Sequence, residues 1–271
     1  MDIGVTLRNM GEQSTPQIMS ACAAQAEAAG VESIWITDHI AIPPDDAEGS
    51  GGRYLDTLTG LAWLAGQTTR IKLGSGVLIL PYRAMLPTAK QIATIQELSA
   101  ERLLLGVGVG WMDAEFKALG IDRHQRGAQT DATLAFLNTC FANDEVTHNG
   151  QTFLFRPRPA PPPILVGGRA PFALRRAVAY GDGWLPMARN AAQIADDFAT
   201  YQTLCAEAGK GAAVTVMSGL PLDEPGQALD MAAAYETLGV DRLVCAIRYD
   251  TVAQYTAQVG LLMEVAAQLS S

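Results

Sequence analysis

Short apolar stretches alternate with longer segments whose apolar residues recur at helical spacing, and the alternation runs through eight cycles. The apolar stretches lie at residues 2–8, 33–39, 71–79, 103–110, 163–168, 183–187, 214–220 and 241–247. Their near-continuous hydrophobicity reads as strands buried on both faces, the mark of a parallel sheet covered by helices. The segment 17–29 is Ala-rich with an apolar stripe and stops at Gly30, after which the second strand begins directly. The junctions Gly181-Asp182-Gly183 and Leu238-Gly239-Val240 repeat that helix, glycine, strand order. Eight such units predict one (β/α)8 TIM barrel over residues 1–271, in which chemistry belongs at the C-terminal ends of the strands.

One stretch breaks the rhythm. Between strands four and five, residues 120–162 hold a helix over 128–141, a polar segment and the proline-rich run from Arg156 to Pro163. The prolines predict an extended return path to strand five, and the interruption is read as a short insertion, because nothing beyond it would have a core of its own. A 49% hydrophobic content is ample for one large core. The net charge of −9 excludes a nucleic-acid surface, which needs a surplus of Lys and Arg. Four scattered cysteines with no Cys-x-x-Cys and no Cys/His cluster predict no metal. The absence of a basic leader or a spanning apolar run predicts a cytoplasmic protein with no membrane partner.

The polar and glycine-rich departures fall on the predicted rim. Thr37-Asp38-His39 ends strand two and holds the one histidine of three that a barrel would expose to substrate; His124 and His148 fall in the interruption and read as surface residues. Gly74-Ser75-Gly76-Val77 breaks strand three, as a bulge, a ligand pressed on backbone, or tight packing. The alternating Gly106, Gly108 and Gly110 of strand four mark either a narrow interior or a flat ring lying against them. They are a poor dinucleotide fingerprint, since no helix opens at the third glycine. Val166-Gly167-Gly168-Arg169 ends strand five before a helix opening at Pro171, an arrangement that offers free N–H groups and a cation to a phosphate. Pro186 and Met187, ending strand six, would close one side of that pocket. Trp35 and Trp63 read as core; Trp111, Met85 and Met112 are candidates for lining a substrate pocket.

Taken in order, several strings resemble the luciferase-like monooxygenase superfamily, most closely its branch of oxidoreductases dependent on the deazaflavin coenzyme F420. They are Trp35-Ile36-Thr37-Asp38-His39, Gly76 to Arg83, Gly106 to Trp111, Glu115-Phe116 with Gly120, Arg126-Gly127, Ile164 to Gly168 and Gly181 to Trp184. The resemblance covers roughly residues 1–190. It implies a flavin or deazaflavin in the barrel mouth over a bulged third strand, with a cis peptide at Ser75-Gly76 or Gly76-Val77. It further implies phosphate contacts from amides at Gly167 and Gly168, a carboxylate and an imidazole near the ring at Asp38 and His39, and a homodimer. The cofactor-binding set expected on this basis is Ser75, Gly76, Val77, Gly106, Gly108, Val166, Gly167, Gly168, Arg169, Pro186 and Met187.

The sugar-phosphate dehydrogenases of the superfamily carry a tryptophan shortly after the strand-two histidine and a glutamate ending strand four. Here those stretches read Ile40-Ala41-Ile42-Pro43-Pro44 and Val109-Gly110, so that substrate class is not expected. The resemblance implies hydride transfer between F420 and a small organic substrate, with His39 donating or accepting a proton and Asp38 orienting it or the ring. An FMN-dependent monooxygenase served by a separate reductase is the alternative on the same barrel, and a non-catalytic cofactor-binding barrel the alternative of another class. For F420, an outward basic path for its acidic tail falls to Arg83, Arg126 and Arg169.

Overall fold

The computed structural model describes residues 1–269. Its elements run β1 (Asp2–Thr6), α1 (Pro16–Ala28), β2 (Ser33–Ile36), α2 (Thr57–Gln67), β3 (Lys72–Ser75), β4 (Leu78–Ile79), α3 (Met85–Leu98), β5 (Leu103–Gly108), α4 (Asp113–Ala118) and α5 (Arg126–Ala142). They continue with β6 (Glu145–His148), β7 (Gln151–Leu154), β8 (Ile164–Gly167), α6 (Phe172–Tyr180), β9 (Gly183–Leu185), α7 (Ala195–Glu207), β10 (Ala213–Ser218), α8 (Pro225–Leu238), β11 (Arg242–Cys245) and α9 (Val252–Leu269). All pairings in the main sheet are parallel, and β3 pairs with β5, which closes the ring. With β3 and β4 as two halves of one interrupted strand, the result is the eight-stranded barrel with helices between strands that the alternation predicts.

The strands themselves are shorter than the apolar stretches that announce them. Residues 37–39 and 109–110 leave the ladder and form the rim, while Met187, past the end of β9, keeps a single bridge to Met217 of β10. Local chemistry sets the helix starts: Thr15 caps α1 by accepting the Ile18 N–H at 3.3 Å ahead of Pro16, and Asp56 caps α2 by accepting the Thr59 N–H at 2.8 Å.

Two features between β5 and β8 depart from expectation. The polar segment after α5 is an antiparallel hairpin, β6 against β7, turning at Asn149-Gly150 with φ of 50° and 76°. That two-residue Asn-Gly turn is the strongest short-range hairpin signal a sequence offers. His148 lies on the hairpin with its ring 4.8 Å from that of Phe136 on α5, so it is half-buried rather than a surface residue. The second feature is α4, a short helix just past β5 that carries Glu115 inward.

The barrel interior is plugged. Trp35, Leu104, Leu165, Leu185, Met217 and Val244 form a buried cluster with Val77 packed on top. Gly4 and Gly74 make room for the Trp35 indole, which donates from Nε1 to Ser33 Oγ at 2.8 Å; a side chain on Gly74 would collide with the ring. Any ligand must therefore lie over the C-terminal end and cannot enter the barrel.

Candidate active site

The bulge in strand three is built jointly by strands three and four. The Gly76–Val77 peptide bond is cis. Ser75 turns its hydroxyl into the barrel wall, donating to the Gly106 carbonyl at 2.8 Å. A side chain on Gly106 would collide with the Ser75 carbonyl, and one on Gly108 would come within 2.5 Å of Val77 Cγ2. The strand-four glycines are thus vacant where the bulge presses in, which decides for the narrow interior over the flat ring. At the bulge itself Gly76 and Val77 keep partial exposure, between the buried Ser75 and Leu78.

This sorts the expected cofactor-binding residues. Ser75, Gly106, Gly108, Val166, Gly167 and Pro186 are enclosed by protein and support the floor from beneath. The residues facing open space are Gly76, Val77, Gly168, Arg169 and Met187, the last 81% exposed. Gly168 has φ of +123°, a conformation that disfavours any side chain, and its carbonyl is fixed by the Trp184 Nε1–H at 2.9 Å. Among the described residues, the N–H of Arg169 donates to no protein acceptor, the N–H of Gly168 faces the Leu185 carbonyl where β8 runs beside β9, and the Arg169 side chain is exposed and makes no ion pair. They stand before the N-terminus of α6, where an anion is favoured by unpaired N–H groups and the helix dipole.

Across the mouth, Asp38 and His39 diverge. Asp38 is 3% exposed and saturated: Oδ1 accepts from Thr57 Oγ1 at 2.9 Å and Arg83 Nη2 at 2.7 Å, and Oδ2 accepts from the Ile79 N–H at 2.8 Å and Arg83 Nη1 at 2.6 Å. Its place is a clamp from the end of β2 to the far side of the bulge, and it neither orients His39 nor reaches toward a ring. Arg83 is spent in the same clamp and also bonds Asp56 at 2.9 Å, which removes it from an outward path for an acidic tail. Burial opposes the Arg83 charge, but the hydrogen bonds it donates to Asp38 and Asp56 outweigh it and raise its pKa.

His39 instead meets a carboxylate that sequence reasoning assigned no role. Its Nδ1 lies 2.8 Å from Glu115 Oε2. Glu115 is fully buried and receives four hydrogen bonds: the Ile40 and Ala41 N–H groups at 2.6 and 2.9 Å on Oε1, and Tyr82 Oη at 3.0 Å together with His39 on Oε2. Burial alone would raise its pKa, yet those backbone donors and His39 hold the carboxyl below its ordinary range. Tyr82 is pushed upward by burial and by the same carboxylate. The ring of His39 is covered on its edges by Tyr54, 4.9 Å between centroids, and Trp111, 6.3 Å, while Trp111 itself stays 64% exposed. Asn9 ties this side together by donating to the Thr37 and Leu55 carbonyls at 2.8 and 3.0 Å, holding the loop that carries Tyr54. Met112 is only 5% exposed and underlies the rim.

An imidazole on a buried carboxylate, a part-exposed backbone bulge and the exposed start of a helix thus gather at the C-terminal mouth of a plugged barrel. The comparisons place it more closely: residues 3–238 match the family model of the luciferase-like monooxygenases, and the chain belongs to that family. It is 32% identical over 203 residues to an uncharacterised protein of Mycobacterium tuberculosis, covering 68% of this chain and 70% of that one. It is 30% identical over 200 residues to the F420-dependent hydroxymycolic acid dehydrogenase of the same organism, covering 69% of this chain and 53% of that one. Among solved structures, the monooxygenase RslO1 of Streptomyces bottropensis superposes with a TM-score of 0.84 at 17% identity over the full length of both chains. The FMN-bound oxygenating constituent of 3,6-diketocamphane monooxygenase, from a plasmid of Pseudomonas putida, gives 0.78 at 14% identity over 99% of this chain and 98% of that one. Members of the family are oxidoreductases or monooxygenases acting on small molecules. No helix among the described residues is long and apolar enough to cross a membrane.

Proposed function

We propose that this protein is an F420-dependent oxidoreductase that moves a hydride between the deazaflavin and a small organic substrate, with His39 handling the accompanying proton. The observation that carries the reading is His39 seated on Glu115 at the rim, across the mouth from the unpaired Arg169 amide before α6. The residues present fit such a coenzyme. Gly168, Arg169 and the start of α6 would hold its anionic phosphate, and the part-exposed Gly76–Val77 backbone with Met187 would flank a flat ring. When bound, the deazaflavin supplies a carbon that accepts or gives up hydride.

The chain supplies position and proton chemistry. Trp111 and Tyr54 border His39 and keep the approach to its ring largely apolar, which shields a proton transfer from bulk water. Asp38 and Arg83 keep the bulge at fixed height relative to His39. The FMN alternative is favoured by the fold shared with the diketocamphane enzyme; the F420 reading is favoured by a sequence relative at 30% identity against 14% for that structure. Equilibrium titration of the purified protein with F420 and with FMN, followed by absorbance and fluorescence, decides between them. Saturable binding of F420 that weakens in Arg169→Ala is the expected result. Binding of FMN alone would replace this reading with the monooxygenase one, and binding of neither would remove the redox assignment.

A further inference from the structure

The two oxygens of Glu115 are not equivalent, and the difference fixes where His39 carries its proton. An ionised carboxylate only accepts hydrogen bonds, so the His39 nitrogen facing it at 2.8 Å must be the protonated one. On the other oxygen, the Ile40 and Ala41 N–H groups can only donate. Glu115 is therefore locked at Oε1 by backbone and turns Oε2 toward His39 and Tyr82. The Nε2 of His39 has no protein partner among the described residues, and 17% of the side chain is open to the mouth.

We infer that Glu115 is the positioning residue for His39, holding the neutral ring with its proton on Nδ1 so that Nε2 is presented to the mouth as a bare proton acceptor. The assignment of a proton-transfer role to Nε2 rests on the function proposed above; the placement of the proton does not. The arrangement makes a sharp demand on Glu115→Gln, which is nearly the same size. The two backbone donors require the amide oxygen at the Oε1 place, so the amide NH2 must face His39. A donor there forces Nδ1 to accept, and the ring proton moves to Nε2. Glu115→Gln thus inverts the tautomer, turning the outward nitrogen from acceptor into donor, without removing the contact.

Nitrogen-15 NMR of the two-bond couplings in uniformly labelled, cofactor-free protein reads the tautomer directly once the ring is neutral. With three histidines in the chain, His124→Gln and His148→Gln assign the signals. The expected result is Nδ1–H in the wild type and in Tyr82→Phe, and Nε2–H in Glu115→Gln. A wild-type ring protonated on Nε2, or a Glu115→Gln ring still protonated on Nδ1, overturns the inference. So does a Tyr82→Phe ring that switches, since Tyr82 would then be setting the tautomer. If Glu115→Gln does not fold, the wild type and Tyr82→Phe still decide. In turnover, Glu115→Gln should lower kcat at least tenfold with KM within about threefold, and a fall in KM-dependent terms alone counts against it. Failure of the wild type to bind either coenzyme would remove the proposed function while leaving the tautomer result standing.

Discussion

At the scale of single residues the rim separates two acidic side chains that look interchangeable in sequence terms. Asp38 adjoins His39 in the chain but spends both oxygens on Arg83, Thr57 and the Ile79 N–H, whereas Glu115 is seventy-six positions away and meets the imidazole. The consequence is a pair of opposite mutant phenotypes. His39→Asn should leave coenzyme affinity within a few fold and lower turnover by about 10²–10⁴, the range in which general acid–base catalysis contributes. Steady-state kinetics beside a binding titration measures both, and unchanged turnover would take the proton role away from His39. Asp38→Ala leaves the Arg83 guanidinium, which is only 11% exposed, with Asp56 as its one remaining carboxylate, and should cost up to about 3 kcal/mol, the low end for breaking a buried pair. Urea unfolding should show that loss, with coenzyme affinity falling because Ile79 and the bulge lose their tether. The motif Thr37-Asp38-His39 announced a histidine at the rim, and the structure has its ring there. The partner of that histidine was not legible, because contact between residues 39 and 115 depends on α4, a six-residue helix whose start has no side-chain cap to announce it.

At the scale of elements, the sequence declared strands and helices wherever burial dictates composition, and lost resolution where a neighbour dictates it. The glycines of β5 are the clearest example. Their spacing announced that something must press against that strand, but only the structure shows that it is the Ser75 carbonyl and the Val77 side chain. The hairpin of β6 and β7 had its turn residues in plain view, and its strands went unread because they lie outside the barrel, with the side chains of β7 at most half-buried. A different junction shows electrostatics holding elements in register. Glu27, on α1, accepts the N–H groups of Thr69, Arg70 and Ile71 at 2.9, 2.6 and 3.0 Å, fixing the turn from α2 into β3. Burial would raise its pKa, but these three donors and the Arg70 charge lower it to about 2. A carboxylate depressed in the folded state contributes stability that is fully present above its ordinary pKa and is lost as pH falls toward the folded value. Glu27→Gln should therefore lower Tm at pH 7, with the gap to wild type narrowing steadily below about pH 4.5 and closing near pH 2. Thermal unfolding across that range checks it, and a gap independent of pH would show that the amide, not the charge, accounts for the contact.

At the scale of the whole molecule, the plugged interior explains why the site is a shelf and where its stability comes from. Trp35 sits at the axis with no exposure, seated in space left by Gly4 and Gly74 and topped by the cluster of Leu104, Leu165, Leu185, Met217 and Val244. These residues come from six different barrel strands, so the cluster joins the ring at the level just beneath the bulge. Removing the indole would leave a cavity that the surrounding strands cannot close, because each is held by parallel pairing on both sides. Trp35→Ala should cost about 3–5 kcal/mol, the range for aromatic truncation in a packed core. The loss should also reach the site, since Val77 and Met217 rest on that cluster and Gly76 lies against Met217, so coenzyme affinity should fall even though no cluster side chain below the bulge is open to the mouth. Trp35→Phe refills part of the space and should recover more than half of both losses. Unfolding curves and coenzyme titrations on the two variants test the linkage. Recovery of stability without recovery of affinity would mean that the shelf is held by the Asp38–Arg83 clamp alone and not by the barrel core.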